Sequence, residues 1–189
     1  MSQRELDEFV SAYGRFEKSV QELLGKLFKG DCEWCTACCC EVHLCEETER
    51  SVFLQRLLNR QGLKQSEMDP KYGWLESFGC RLEYGRPPVC YAYFCDELLN
   101  KFPEEEQRRA VLLLGSLPEY IGRNAFGELH LTEEGDAQRF ERVDVERLFE
   151  RLAVAEEVFQ VILTHMQENG RKFSPRERAV LDLIEPAVL

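Results

Sequence analysis

Nine cysteines occupy only the interval 32–95 of this chain. Six fall in one run, Cys32-x2-Cys35-x2-Cys38-Cys39-Cys40-x4-Cys45, and the others are Cys80, Cys90 and Cys95. Thiols at two-residue spacing gather ligands for a soft metal, because a CxxC turn brings two sulfurs to one ion. A closed disulfide framework fits poorly. The cysteine count is odd, and the adjacent Cys38, Cys39 and Cys40 cannot easily reach disulfide geometry with one another.

The compartment reading agrees. The N-terminus, Met-Ser-Gln-Arg-Glu-Leu-Asp-Glu-Phe, has no apolar core of a signal peptide. No run of about 18 apolar residues occurs, so no membrane span is expected. The expected location is the cytoplasm, where thiols stay reduced and available to metals. The formal net charge of -11 repels phosphate backbones, which argues against nucleic acid as a general partner. A length of 189 residues suits one domain, 1–189, with a sizeable core.

Outside the cysteine interval the pattern is helical. Leu6, Phe9, Val10, Tyr13, Phe16, Val20, Leu23, Leu24, Leu27 and Phe28 recur at three- and four-residue steps, predicting an amphipathic helix over 3–29 that Gly30 stops. Its stripe reads as a core face rather than a dimerising surface. A helix over about 47–61 follows, ended by Gly62, and residues 63–79 read as a loop. Pro103 and three glutamates open a helix that runs to about Ser116, and Pro118 is expected to open another short turn. Residues 126–131 read as a short strand or hairpin arm. Asp144 caps a long helix over 145–168, stopped by Gly170, and Ser174-Pro175-Arg176-Glu177 is a capping box for a last helix to about Ile184. The expected fold is mainly α: a single helical domain around an irregular cysteine-rich segment.

If the first cysteine run is helical, Cys32, Cys35 and Cys39 lie within about 60° of one another at about 100° per residue, with Cys38 flanking them. These four rank above Cys40 and Cys45 as ligands. An all-thiolate zinc site needs four donors, and iron–sulfur clusters use four as well. The bacterial ferredoxin run matches at Cys32, Cys35 and Cys38, but its fourth cysteine would fall at Val42.

The pairing of Cys32-x2-Cys35-x2-Cys38-Cys39 with Cys80-Arg-Leu-Glu-Tyr84-Gly-Arg86-Pro87-Pro88-Val-Cys90-x4-Cys95 resembles the CxxCxxCC, or YkgJ-like, cysteine-cluster family. Members are described as zinc- or iron-chelating domains, and the resemblance covers residues 32–95. It implies a metal set drawn from Cys32, Cys35, Cys38, Cys39, Cys80, Cys90 and Cys95. The family commonly has a further cysteine where this chain has Tyr72-Gly73-Trp74-Leu75, which leaves Cys40, Cys45 and His43 as replacements. Some flagellin lysine methylases are similar in the same region, yet no Gly-rich loop follows a strand here to cradle an adenosyl cofactor.

Around the site, Arg81 and Arg86 could offset thiolate charge or take part in surface ion pairs, and Arg86 is the stronger candidate for the first role. Trp34, Trp74, Tyr84, Tyr91, Tyr93 and Phe94 read as packing that keeps water from a thiolate centre rather than as a substrate pocket. His43 reads as a bystander, and His130 and His165 as structural residues. The leading expectation is a protein that chelates zinc, favoured over iron or an iron–sulfur cluster, through thiolates from two segments. The alternatives are an iron-dependent redox or methylase-like group-transfer enzyme and a metal-carrying interaction module.

Overall fold

The apolar stripe near the N-terminus becomes α1, Gln3–Leu27, with Leu6, Phe9, Val10, Tyr13, Phe16, Val20 and Leu23 on its buried face. A computed structural model describes residues 3–29, 41–77, 79–168 and 171–184. Cys32, Trp34, Cys35, Cys38, Cys39 and Cys40 lie outside the described residues, as do Gly30 and Gly170. The expectations placed on them are therefore neither met nor overturned.

Two short helices replace the one expected over 47–61, and a further helical turn precedes them. In chain order the three are α2 (Val42–Cys45), α3 (Glu47–Arg50) and α4 (Val52–Arg60). Ser51 makes the break. Its backbone is extended, and its hydroxyl accepts the Leu54 N–H at 3.2 Å, capping α4. Gly62, with φ at 71°, ends this region as expected.

The stretch read as a loop holds a small antiparallel hairpin, β1 (Leu75–Glu76) and β2 (Gly79–Cys80), with Leu75 opposite Cys80. Strands of two residues are too short for alternation to reveal. Beyond Pro87 and Pro88 come α5 (Val89–Ala92) and α6 (Asp96–Leu99).

The next helix, α7, runs unbroken over Glu105–Gly122 and contains Pro118, where a new turn was expected. Proline costs a helix one N–H and crowds the carbonyl four residues earlier. Here the buried face of Leu113, Leu114, Leu117 and Ile121 continues past it, so tertiary burial outweighs the local penalty. An isolated bridge pairs Phe126 with Leu129, the remnant of the expected hairpin arm. Then come α8 (Ala137–Phe140), α9 (Val145–Gln167) and α10 (Pro175–Leu181). Asp144 and Ser174 cap the last two as their sequence predicts, accepting from Arg147 N at 3.1 Å and Glu177 N at 3.3 Å.

Helices α7 and α9 pack along each other, and α1, α4 and α10 close around them. The α1 stripe faces this core, with Phe9 and Tyr13 against Phe53 and Phe16 against Phe159. Among the described residues, no helix is long and apolar enough to cross a membrane. The described cysteines sit beside this frame. A separate small cluster of Leu58, Trp74 and Leu82 carries Cys45 and Cys80 on its flank.

Candidate metal centre

Glu17 lies on the buried face of α1, where every neighbour in the stripe is apolar or small. It is fully buried. Its carboxylate accepts from Gly85 N at 2.8 Å, Arg86 N at 2.9 Å and the Tyr91 hydroxyl at 2.6 Å. One side chain thus fixes the backbone between Cys80 and Cys90 and the ring beside Cys90. Burial raises the Glu17 pKa, and its hydrogen bonds to Tyr91, Gly85 and Arg86 work against that rise. The sequence signal was present: Glu17 stands four residues after Tyr13 and three before Val20, inside the apolar stripe.

The second cysteine segment is seated on α7 by Gly115. A Cβ there would lie 2.3 Å from the Tyr91 carbonyl oxygen and 2.7 Å from the Phe94 ring. Only a glycine lets α5 come this close. Cys90 is exposed, while Cys80 and Cys95 are partly buried.

Arg86 points back along its own segment. Its Nε and Nη2 donate to the Leu82 carbonyl at 3.1 and 2.8 Å, and Nη2 lies 3.4 Å from the Cys80 carbonyl. From there the guanidinium is within electrostatic reach of Tyr91, Cys80 and Cys90. Burial pushes the Cys80 thiol pKa up, while Arg86 and a hydrogen bond from the Leu82 N–H draw it down. Arg81, by contrast, pairs with Glu67 at 2.7 Å and Glu76 at 3.8 Å on the surface.

Cys45, ranked low on helical projection, lies at the same place as Cys80. Both pack against the Leu58, Trp74 and Leu82 cluster. Gly73 explains the fit: with φ at 62°, it presents bare backbone to Cys45. A Cβ on Gly73 would meet Cys45 Sγ at 2.5 Å. Nothing in the linear spacing joins positions 45, 73 and 80, so only the folded chain reveals this contact.

The aromatics divide. Trp74 and Tyr91 are buried as packing. Trp74 Nε1 donates to Thr48 Oγ1 at 3.2 Å. Tyr93 is half exposed and does not shield the thiols by burial. His43 is exposed and pairs with Glu41 through Nδ1 at 2.9 Å. His130 is buried against Gly122, takes the Thr132 N–H on Nδ1 at 3.1 Å and contacts the Glu119 carbonyl through Nε2 at 3.1 Å. Those partners assign a neutral ring with the proton on Nε2, a structural role. His165 is buried and stacks on Phe173 with ring centroids 4.0 Å apart.

The chain also brackets the first cysteine run. Before it, the Phe28 ring packs on Phe94, next to Cys95, at 5.6 Å between centroids. At its end, Cys45 packs against Gly73 and, with Cys80, on the Leu58, Trp74 and Leu82 cluster. Among the described residues, no group of three or more His, Cys, Asp or Glu side chains is arranged to hold a metal.

No protein-family model, curated protein or solved structure matches the chain.

Proposed function

We propose that this protein binds a thiophilic metal ion, zinc in preference to iron, through cysteine thiolates of the two segments. The set is Cys32, Cys35, Cys38 and Cys39 from the first and Cys80, Cys90 and Cys95 from the second. One observation carries the reading. A residue before the first run and its last cysteine are both held against the second segment, Phe28 on Phe94 and Cys45 on the cluster that also carries Cys80. A segment whose two flanks both sit against the second segment leaves from it and returns to it, and that supports a centre shared by the two.

The donor chemistry fits. Cys45 and Cys80 share one apolar seat, and Arg86 stands near Cys80 and Cys90. Burial raises the Cys80 thiol pKa and Arg86 works against that rise, so the thiolate would be held chiefly by the metal itself. When bound, zinc would supply a tetrahedral crosslink between the segments. The departure of the spacing from the ferredoxin run at Val42 places an iron–sulfur cluster second. The resemblance to CxxCxxCC proteins points the same way, and a reducing cytoplasm is the compartment that suits such thiolates.

The test is purification under anaerobic, reducing conditions, followed by elemental analysis and a visible absorption spectrum. The expected result is tightly held zinc and a colourless protein. Less than about half an equivalent of any transition metal, with every thiol reactive, overturns the proposal.

A further inference from the structure

The expected ligand set leaves out Cys45, yet the fold spends several contacts on placing its sulfur. Gly73 has a left-handed backbone that leaves room for that atom alone, since a Cβ would sit 2.5 Å from Cys45 Sγ and 2.9 Å from its Cβ. The next residue, Trp74, is tied to both cysteines. Its carbonyl accepts from Arg81 N at 2.8 Å, directly after Cys80. Its indole N–H donates to Thr48 Oγ1, which lies 2.6 Å from the Cys45 carbonyl. The backbone carrying Cys45 and the hairpin carrying Cys80 are therefore locked through one tryptophan.

We infer that Cys45 and Cys80 form a paired-thiolate seat for the metal, with Cys45 supplying a ligand beyond the set that sequence spacing predicts. The inference rests on the proposed metal binding and deepens it. Cys45 and Cys80 are both partly buried and pack against the same Leu58, Trp74 and Leu82 cluster. His43, the competing local donor, is exposed and paired with Glu41.

The experiment compares wild type, Cys45→Ser, Cys80→Ser and His43→Ala, all purified anaerobically. Zinc affinity is measured by chelator competition, and Cd²⁺ serves as the probe for sulfur ligation through its ultraviolet charge-transfer absorption. Cys45→Ser and Cys80→Ser are expected to lose at least about tenfold in affinity and part of the cadmium–sulfur band, while His43→Ala keeps both. Circular dichroism checks that each variant is folded. In the wild type, zinc is expected to protect Cys45 and Cys80 from alkylation, a readout that needs no variant to fold. Metal-free wild type would remove the proposed function itself. Wild type that holds zinc while Cys45→Ser binds it equally well, or while Cys45 alkylates freely, overturns this inference alone. So does a Cys45–Cys80 disulfide already present in protein purified anaerobically from cells.

Discussion

Glu17 is the residue from which the second cysteine segment hangs, through Gly85 N, Arg86 N and the Tyr91 hydroxyl. Glu17→Gln keeps the shape but turns an amide N–H₂ toward donors. We expect it to cost about 1–3 kcal/mol, read from urea unfolding at neutral pH. The pH dependence has a definite sign. Burial raises the folded-state pKa above the ordinary 4.5, so the folded protein holds the proton more tightly than the unfolded chain. The contribution of Glu17 is fully present below 4.5 and is lost as pH rises through the raised folded value. The stability gap between wild type and Glu17→Gln should therefore widen as pH falls from 7 toward 4.5, and a gap that narrows would contradict the assignment. The sequence carried this residue in plain view, as a carboxylate inside an apolar stripe. It did not carry the partner, because Gly85 and Arg86 reach Glu17 only through tertiary packing.

Among the elements, α7 sets the position of the site. Gly115 lets the Tyr91 carbonyl approach to where a Cβ would stand, and the obstruction would be backbone rather than a flexible side chain. Gly115→Ala should lower stability by about 1–3 kcal/mol through overpacking and push α5 off α7. A thermal melt reads the first effect, and faster hydrogen exchange at Val89–Ala92 reads the second. If the melt is unchanged, the close approach is not required. The elements differed in how far their sequences announced them. Helices α1, α9 and α10 have long stripes or capping residues, and these local signals agreed with the tertiary fold. Ser51 split a helix because its hydroxyl caps Leu54, a role that a lone serine ahead of the apolar positions Val52 and Phe53 does not announce. Pro118 failed to stop α7 because the buried face on both sides of it outweighed one lost hydrogen bond.

At the scale of the whole molecule, two apolar clusters divide the work. The large one joins α1, α4, α7, α9 and α10, while the small one of Leu58, Trp74 and Leu82 carries Cys45 and Cys80. Stripping metal should therefore leave most of the helical circular dichroism intact while lowering the thermal midpoint and shifting tryptophan emission, because Trp74 packs beside both thiols. Loss of most helical signal on chelation would show that the large core also depends on the metal. The mainly α class was legible because helical periodicity is local, whereas the meeting of positions 45, 73 and 80 depends on a hairpin too short to leave a pattern. The buried carboxylate of Glu17 has a practical consequence for anyone wishing to move the cysteine interval elsewhere. Residues 32–95 look like a portable cassette, bounded and dense with ligands. Cut out and grafted onto another protein, they would leave behind the acceptor for Gly85, Arg86 and Tyr91 and the groove at Gly115 that receives Tyr91. The transplant unit is the cassette together with its first helix and α7, which amounts to the scaffold itself.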